Sequence, residues 1–231
     1  MAYEQARQSE LILVAGPVAW GKIPVVTEFG YTHESDVTRR GQGSFGAHGP
    51  RGITEVYNGI AGTFSHDGPE GESAVDAITT MQDPADFVTG DVSNRYPFYI
   101  IANAYEEDGE TPIRGHFVEY AKLNAAPRAV AGTSAMQRAF QAKYARDFAG
   151  KKVTVKAFAG ASTPVTSLAL SPNAFAYEAG KFALLVLRQT LTSKSVKVLQ
   201  LTTDFTETNS AITLLTGLAA TESAIVVYAE D

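Results

Sequence analysis

The sequence predicts a mainly β fold, and two observations carry that prediction. Runs rich in Val, Ile, Thr, Tyr and Phe recur along the chain and are separated by Gly, Pro, Asn and Asp, which favour turns. The composition has 45% hydrophobic and 19% charged residues, with 12 Phe and 10 Tyr, which is globular with a bias toward sheet. A length of 231 residues fits one large β domain or two smaller ones.

Charge and cysteine content exclude several functions. A net charge of −6 lacks the positive surplus with which proteins grip the phosphate backbone of nucleic acids. The absence of cysteine excludes thiol catalysis, cysteine-bound zinc and disulfides. The apolar run at residues 11–20 is interrupted by Gly16 and Pro17, is too short to span a bilayer and follows no basic leader. We therefore expect neither a membrane segment nor a signal peptide.

The first strands are expected at residues 11–14 and 25–33, where Phe29, Tyr31 and His33 should lie on one face. Further along, the runs ITEVY and IAGTFS flank Asn58-Gly59. This dipeptide tolerates the two positive φ angles of a type I′ turn, so it predicts a β-hairpin.

A long glycine-rich loop separates these strands. Residues 41–52 read GQGSFGAHGPRG, and loops of this length inside compact domains are either functional or disordered. Both readings stay open. In the functional one, the loop is an arm that orders against a neighbouring subunit, with Phe45 as its anchor and Arg39, Arg40 and Arg51 pairing with carboxylates of that subunit.

A short helix is expected next. Ser73 is a suitable N-cap with Asp76 three positions later, apolar residues follow at helical spacing as far as Met81, and Asp83-Pro84 ends the segment.

The strongest local signal is a pair of β-prone runs at residues 96–105 and 111–123 on either side of Asp108-Gly109, which predicts a two-residue turn. With Glu107 opposite Glu110, one face is apolar except for its glutamate and carries Phe98, Ile100, Ala102, Ala104, Ile113, Gly115, Phe117 and Glu119. The other face is mixed and carries Tyr99, Ile101, Asn103, Arg114, His116 and Val118. A half-apolar back predicts a second covered surface, which we expect other copies of the molecule to provide.

Residues 134–148 are ambiguous because Met136, Phe140, Tyr144 and Phe148 fit both helical and alternating spacing, while propensity favours a helix. After residue 150 short strands recur at intervals typical of a small β-sandwich. They are expected at residues 153–158, 167–170, 182–189, 196–201, 212–215 and 225–228. We therefore predict two domains, residues 1–150 and 151–231.

The sequence contains no convincing catalytic, cofactor or metal site. Residues 16–22 match the start of a P-loop, but Ile23 replaces the magnesium-binding Ser or Thr and Pro24 interrupts the expected helix. The four histidines show no paired spacing, and the acidic residues around 66–76 and 106–110 fit solvated turns better than ligand sets. Trp20 and the tyrosines leave a sugar-stacking platform as the main chemical alternative.

Taken in order, the central stretch resembles the major tail tube proteins of tailed bacteriophages. The similar parts are the glycine-rich loop, the run EVYNGIAGTFSHDG, a short helix at ESAVDAITTM, the long hairpin beginning YPFYIIANAYEEDGE, and APRAVAGTSAMQRAFQAKYA as a closing strand. The final segment, DFTETNSAITLLTGLAATESAIVVY, is similar to small Ig-like β-sandwich modules appended to phage virion proteins.

This resemblance implies a non-enzymatic virion protein of the phage tail, assembled in the host cytoplasm. Its subunits would form rings, usually hexameric, whose joined sheets make an inner β-barrel and which stack into a tube. Other tail proteins (tape measure, terminator, sheath) would be partners, and DNA would pass as non-specific cargo. The resemblance also implies that residues 134–148 are strand. A head decoration or baseplate protein and a carbohydrate-binding or adhesin-like module remain as alternatives.

Overall fold

The computed structural model describes residues 8–16, 19–23, 26–40, 52–66, 98–123, 136–192 and 196–231. The described residues form fifteen strands, which confirms the mainly β class. The predicted helix at residues 73–84 and residues 41–51 of the predicted loop lie outside the described part. Among the described residues, no helix is long and apolar enough to cross a membrane.

Eight strands from the first part of the chain form one sheet. They are β1 (Gln8–Gly16), β2 (Ala19–Ile23), β3 (Val26–Arg40), β4 (Gly52–His66), β5 (Phe98–Tyr105), β6 (Pro112–Leu123), β7 (Met136–Ala142) and β8 (Tyr144–Ala149). The order is β2-β1-β5-β6-β7-β4-β3, and β8 also pairs with β6. The sheet curls until β1 meets β3, where the Ser9 hydroxyl donates to the Val26 carbonyl at 3.2 Å. Curling encloses an inner core that includes Leu11, Leu13, Ile60, Phe64, Ile100, Val118 and Phe140.

Seven strands from the rest of the chain form two smaller sheets. They are β9 (Val153–Ala159), β10 (Val165–Ala169), β11 (Ala183–Thr190), β12 (Val196–Val198), β13 (Phe205–Glu207), β14 (Ala211–Leu218) and β15 (Glu222–Ala229). The sheets have the orders β12-β11-β15-β9 and β10-β14-β13. They face each other across a core that includes Leu168, Val186, Phe205, Ile212, Leu214, Val226 and Tyr228. All six strands predicted after residue 150 are present, and β13 was not predicted.

A third apolar layer joins the two parts of the chain. It lies between the outer face of the eight-stranded sheet and the outer face of the four-stranded sheet, and it includes Ile12, Tyr99, Ile101, Phe117, Phe148, Leu185, Leu187, Ile225 and Val227. The predicted second covered surface is therefore confirmed, but this chain's own C-terminal strands cover it. The expectation that another copy is needed there was wrong. The domain boundary near Gly150, between β8 and β9, stays a prediction.

Two residues fix this junction locally. The side chain of Asn103, only 1% exposed, donates to the Val153 carbonyl and accepts from the Val153 amide, both at 2.8 Å. Gly115 lies beneath the same segment, because a Cβ there would come within 2.8 Å of the Lys151 carbonyl oxygen and 2.9 Å of the Val153 side chain. A strand glycine commonly marks such a close backbone approach.

The predicted register of the β5–β6 hairpin was wrong by one residue. Ile100 pairs with Val118 and Ile101 with Phe117, which moves Phe117 to the outer layer and Val118 to the inner core. The cause is a β-bulge beside the turn. Tyr105 pairs with Pro112, in the predicted register, but Ala104 pairs with Arg114, so Ile113 is an extra residue of β6 that shifts every later pair by one. The loop itself is longer than two residues, because the Glu106 amide donates to the Thr111 carbonyl at 3.0 Å and the Gly109 amide to the Glu106 carbonyl at 3.1 Å.

The predicted hairpin at Asn58-Gly59 was also wrong, because β4 runs straight through this dipeptide. Glu34 pairs with Gly59 and Ser35 with Tyr57, which leaves Asn58 as the extra residue of a β-bulge. Gly59 has φ +118°, and a Cβ there would lie 2.7 Å from the Ala142 carbonyl oxygen. The chain reverses instead between Arg40 and Gly52, which are paired.

The described part of residues 134–148, from Met136 onward, is strand apart from Lys143, as the resemblance implied and against local helix propensity. The strand breaks at Lys143, between β7 and β8. Its aromatic residues do not share one face: Phe140 enters the inner core, Phe148 enters the outer layer, and Tyr144 is exposed.

Candidate assembly surfaces

A two-stranded ribbon extends beyond the body of the eight-stranded sheet. β7 pairs with β4 only over residues Ile60 to His66, because the chain leaves β4 after Ala142 and continues as β8 against β6. The ladder between β3 and β4 continues past this point from Ser35–Tyr57 to Arg40–Gly52. Among the described strands, no third strand pairs with that part. It spans about 20 Å at about 3.3 Å per residue.

The predicted interface residues belong to this ribbon or to the segment that joins its strands. Arg39 pairs through its backbone with Ile53, and Arg40 with Gly52, at the far end of the ribbon. Phe45 and Arg51 lie outside the described residues. The structure therefore describes the backbone of two of the four predicted residues, Arg39 and Arg40. Both lie at the end of the ribbon that is farthest from the bulge at Asn58.

Among the described residues, three strands of the sheet have only one pairing partner, namely β2, β3 and β8, and β2 and β3 end the strand order. Edge strands carry unpaired backbone donors and acceptors and are the natural sites for pairing with another chain. β2 begins at Ala19, which pairs with Gly16 of β1. Gly21 and Lys22 therefore lie in a strand, and the P-loop-like sequence has no helix N-terminus to bind phosphate.

The base of the ribbon is attached to the sheet through an aromatic and polar group. The ring centroid of Tyr31 lies 5.9 Å from that of Phe29 and 5.9 Å from that of His33, which confirms that these three residues share a face of β3. The Tyr31 hydroxyl donates to the Asp147 carboxylate, whose Oδ1 lies 2.8 Å from His116 Nδ1. The hydrogen bond from His116 is the main cause that lowers the pKa of Asp147 below its usual value. This group connects β3 with β6 and β8.

The histidines do not form a site together. His33 lies on β3, His66 is buried at the end of β4, and His116 lies on β6; His48 is outside the described part. Within the described ranges, no group of three or more His, Cys, Asp or Glu side chains is placed to hold a metal ion.

The loop between β5 and β6 forms an acidic tip, which we define as Glu106, Glu107, Asp108 and Glu110. All four residues are exposed. The Asp108 carboxylate accepts hydrogen bonds from the Thr111 hydroxyl and from the amides of Thr111 and Glu110, at 2.5, 2.9 and 3.0 Å. These bonds lower the pKa of Asp108 and so favour its charged form.

Sequence reasoning missed an exposed aromatic–lysine patch, which we define as Tyr120, Lys143 and Tyr144. The Lys143 ammonium lies 5.6 Å from the ring centroid of Tyr120 and 5.8 Å from that of Tyr144. Tyr120 is 37% exposed and Tyr144 50%. Trp20 is not part of this surface, because its strand, β2, is three places away from β6 in the sheet. The sugar-stacking platform of Trp20 with tyrosines stays a prediction.

Two clefts contain charged groups that already pair with one another. In the first, of about 460 Å³, Glu10 lies 3.1 Å from the Lys22 ammonium and accepts a hydrogen bond from Tyr105 at 2.7 Å. Burial opposes ionisation of Glu10, but these hydrogen bonds outweigh it and lower its pKa. In the second, of about 330 Å³, Arg188 contacts both carboxylate oxygens of Glu222. Both arrangements are those of structural ion pairs.

Comparison with known proteins gives distant structural likeness. No protein-family model matches the chain, and no curated protein matches it. It is similar to the tube-terminating cap of the anti-feeding prophage, at 11% identity and a TM-score of 0.34, over 64% of this chain and 92% of that one. It is also similar to a chain of the anti-feeding prophage baseplate, at 7% identity and a TM-score of 0.33, over 64% and 97%. TM-scores this low carry no functional argument.

Proposed function

We propose that this protein is a non-enzymatic structural subunit that assembles with copies of itself into stacked rings, which form the hollow tail tube of a bacteriophage-like particle. The observation that carries the proposal is the ribbon that β3 and β4 form from the pair Ser35–Tyr57 to the pair Arg40–Gly52. An isolated two-stranded ribbon is marginally stable in water, and a third strand or a packed face is needed to hold it. A neighbouring subunit supplies that support.

Closing a ring of subunits would also give the strands at the sheet edges a pairing partner. Both β2 and β3 are edge strands in the described structure, and exposed edges invite uncontrolled pairing. Joining β2 of one subunit to β3 of the next around a closed ring would pair both of these edges, as in a β-barrel. We propose six subunits in the ring. Arg39, Arg40, Phe45 and Arg51 belong to the contact between subunits.

The two proposed domains then have separate tasks. Residues 1–150 form the ring, and residues 151–231 lie outside it as a β-sandwich that covers the outer face of the assembling sheet. The acidic balance of the chain, −6, suits a lumen that repels DNA phosphates and lets the genome pass without sticking. The remaining proposed partners are other tail proteins (tape measure, terminator and sheath), and the proposed location is the virion, after assembly in the host cytoplasm.

Electron microscopy of the purified protein, combined with sedimentation velocity over a wide concentration range, tests the proposal. We expect rings or hollow tubes that grow with concentration. A protein that stays monomeric at high concentration would overturn it. Isolated discs that never stack, or particles that bind only to preformed heads, would favour a baseplate or head decoration role instead.

A charge reversal at the ribbon tests the proposed contact. Arg40→Glu is expected to raise the concentration at which rings form by about tenfold, since removing one charged interface anchor commonly costs about 1 kcal/mol or more. Lys156→Glu is the matched control, because it makes the same change of charge on β9, in the C-terminal strands. Equal assembly of the two variants would remove the ribbon from the interface.

A further inference from the structure

The aromatic–lysine patch is held by an irregularity in two neighbouring strands. Where β5 meets β6, Ile100 pairs with Val118 but Phe98 with Ala121, so β6 carries an extra residue at Glu119–Tyr120. Beside this bulge, on the side of β6 away from β5, the chain breaks between β7 and β8 at Lys143. The Lys143 amide donates to the Glu119 carbonyl at 3.0 Å. Bulges re-aim side chains and are frequent next to functional sites.

The bulge has a structural task, because β6 passes there from pairing with β8 to pairing with β7. That task does not explain why tyrosine, at position 120, occupies the bulge. Tyr120 has φ +54°, a left-handed conformation that glycine adopts freely and a bulky residue adopts only under strain. A corner alone would be served better by glycine. The Tyr120 ring packs on Tyr99, with 5.5 Å between the ring centroids, but 37% of Tyr120 stays exposed, and this exposed part points to a further role.

Charge is distributed unevenly along the same sheet. The patch contains Lys143, and Lys122 is exposed two positions beyond Tyr120. The acidic tip lies at the other end of β6, next to Pro112. β6 has 12 residues and is therefore about 40 Å long, so the tip and the patch of one molecule cannot touch each other. Two copies placed end to end bring them together.

We infer that the aromatic–lysine patch receives the acidic tip of a second copy of this chain, in a head-to-tail contact along the strand direction. The inference rests on the proposed self-assembly and names one surface of it. Rings of tyrosine supply rigid contact area at little entropic cost, and the lysines orient the approaching carboxylates. Because donor and acceptor surfaces differ, the contact is heterologous and can repeat without limit, as stacking requires.

The test uses variants of each surface in the full chain. Tyr120→Gly removes the ring, including its contact with Tyr99, and relieves the backbone strain, so a thermal melt accompanies the assay and shows that the variant is folded. The variant is expected to raise the concentration needed for stacking by about tenfold or more. Leu215→Ser is the matched control, because Leu215 is an exposed apolar residue, 60% exposed, in the C-terminal strands.

Charge reversal supplies a second readout that does not depend on the strained position. Lys122→Glu with Lys143→Glu, and separately Glu106→Lys with Glu110→Lys, should each block stacking. Combining all four reversals in one chain should restore it, because the end-to-end pairing of opposite charges is then re-formed with the signs exchanged.

The outcomes separate this inference from the proposed function. If the wild type forms stacked rings and both patch variants stack equally well, the patch is not the contact and the inference is wrong while the proposed function stands. If the wild type never associates, the proposed function itself fails. If the patch variants stack normally but lose binding to an immobilised panel of glycans, the patch is a sugar-stacking platform, which also overturns the inference.

Discussion

Replacing Asn103 with alanine tests whether the two parts of the chain are stabilised as one unit. The substitution removes two hydrogen bonds of 2.8 Å to the backbone of Val153 and a longer one of 3.3 Å to the Glu10 carboxylate. It leaves the amide and carbonyl of Val153 buried without the partners that Asn103 supplies. Each such buried group costs about 1–3 kcal/mol, so we expect a total loss of about 3 kcal/mol in the free energy of unfolding.

Urea unfolding followed by tryptophan fluorescence and by circular dichroism measures this loss. Because Trp20 lies on β2 and is the only tryptophan, its fluorescence reports on the first part of the chain, whereas circular dichroism reports on all strands. Both transitions should move together, and the melting temperature should fall by about 6–12 °C. Asn209→Ala, at an exposed position, is the control and should change stability by less than about 0.5 kcal/mol.

A loss below about 1 kcal/mol for Asn103→Ala would contradict the reasoning, since it would mean that water reaches Val153 and that the junction is not sealed. Separation of the two transitions in the wild type would contradict the wider claim that the outer layer couples the N-terminal and C-terminal strands.

Two further predictions follow from the same structure. Gly115→Ala should destabilise the protein by about 1–3 kcal/mol in chemical unfolding, because its methyl group would press on the backbone of residues 151–153; an unchanged midpoint would show that β9 moves aside without cost. Asp147→Asn should be less stable than the wild type at pH 7, and this difference should shrink as the pH falls below the ordinary aspartate pKa. The folded-state pKa of Asp147 is lowered, so its stabilisation is present above the ordinary aspartate pKa of about 3.9 and is lost as the pH falls through the folded value. With this side chain 46% exposed, the difference at pH 7 should stay below about 1 kcal/mol, and a pH-independent difference would refute the ionic contribution.

The mainly β class and the positions of most strands were predictable, because they depend on the chemistry of neighbouring side chains. The aromatic row on β3, the runs on either side of Asp108-Gly109 and the short strands after residue 150 all follow from alternation and turn residues. Register was less predictable, because it depends on bulges as well as on the turn. The pair Tyr105–Pro112 next to the turn keeps the predicted register, but the extra residue Ile113 shifts the rest of β6 by one, which exchanges the two faces of β6.

Asn58-Gly59 shows why a local signal can be misread. The dipeptide suits any site that needs a positive φ, and a bulge needs one as much as a hairpin turn does. The structure also requires glycine here because of a residue far along the chain, since a Cβ at residue 59 would lie 2.7 Å from the carbonyl oxygen of Ala142. The patch escaped prediction for a similar reason: nothing in the sequence around Tyr120 shows that a neighbouring strand breaks beside it.

A sheet can bind other molecules through its faces or through its edges, and the structure decides between these for this protein. The sequence suggested that the back of the β5–β6 hairpin was free for a neighbour, but Leu187, Ile225 and Val227 of the C-terminal strands occupy it, and the opposite face lies over the inner core. With both faces of this hairpin covered within one chain, the proposed self-association would use the edge strands, the projecting ribbon and the two ends of the sheet. These are also the surfaces that a repeating assembly requires, since edges join subunits around a ring and ends join one ring to the next. In the proposed assembly the C-terminal strands would contribute indirectly, because they cover the apolar back of the hairpin and leave the edges and ends for contacts between subunits.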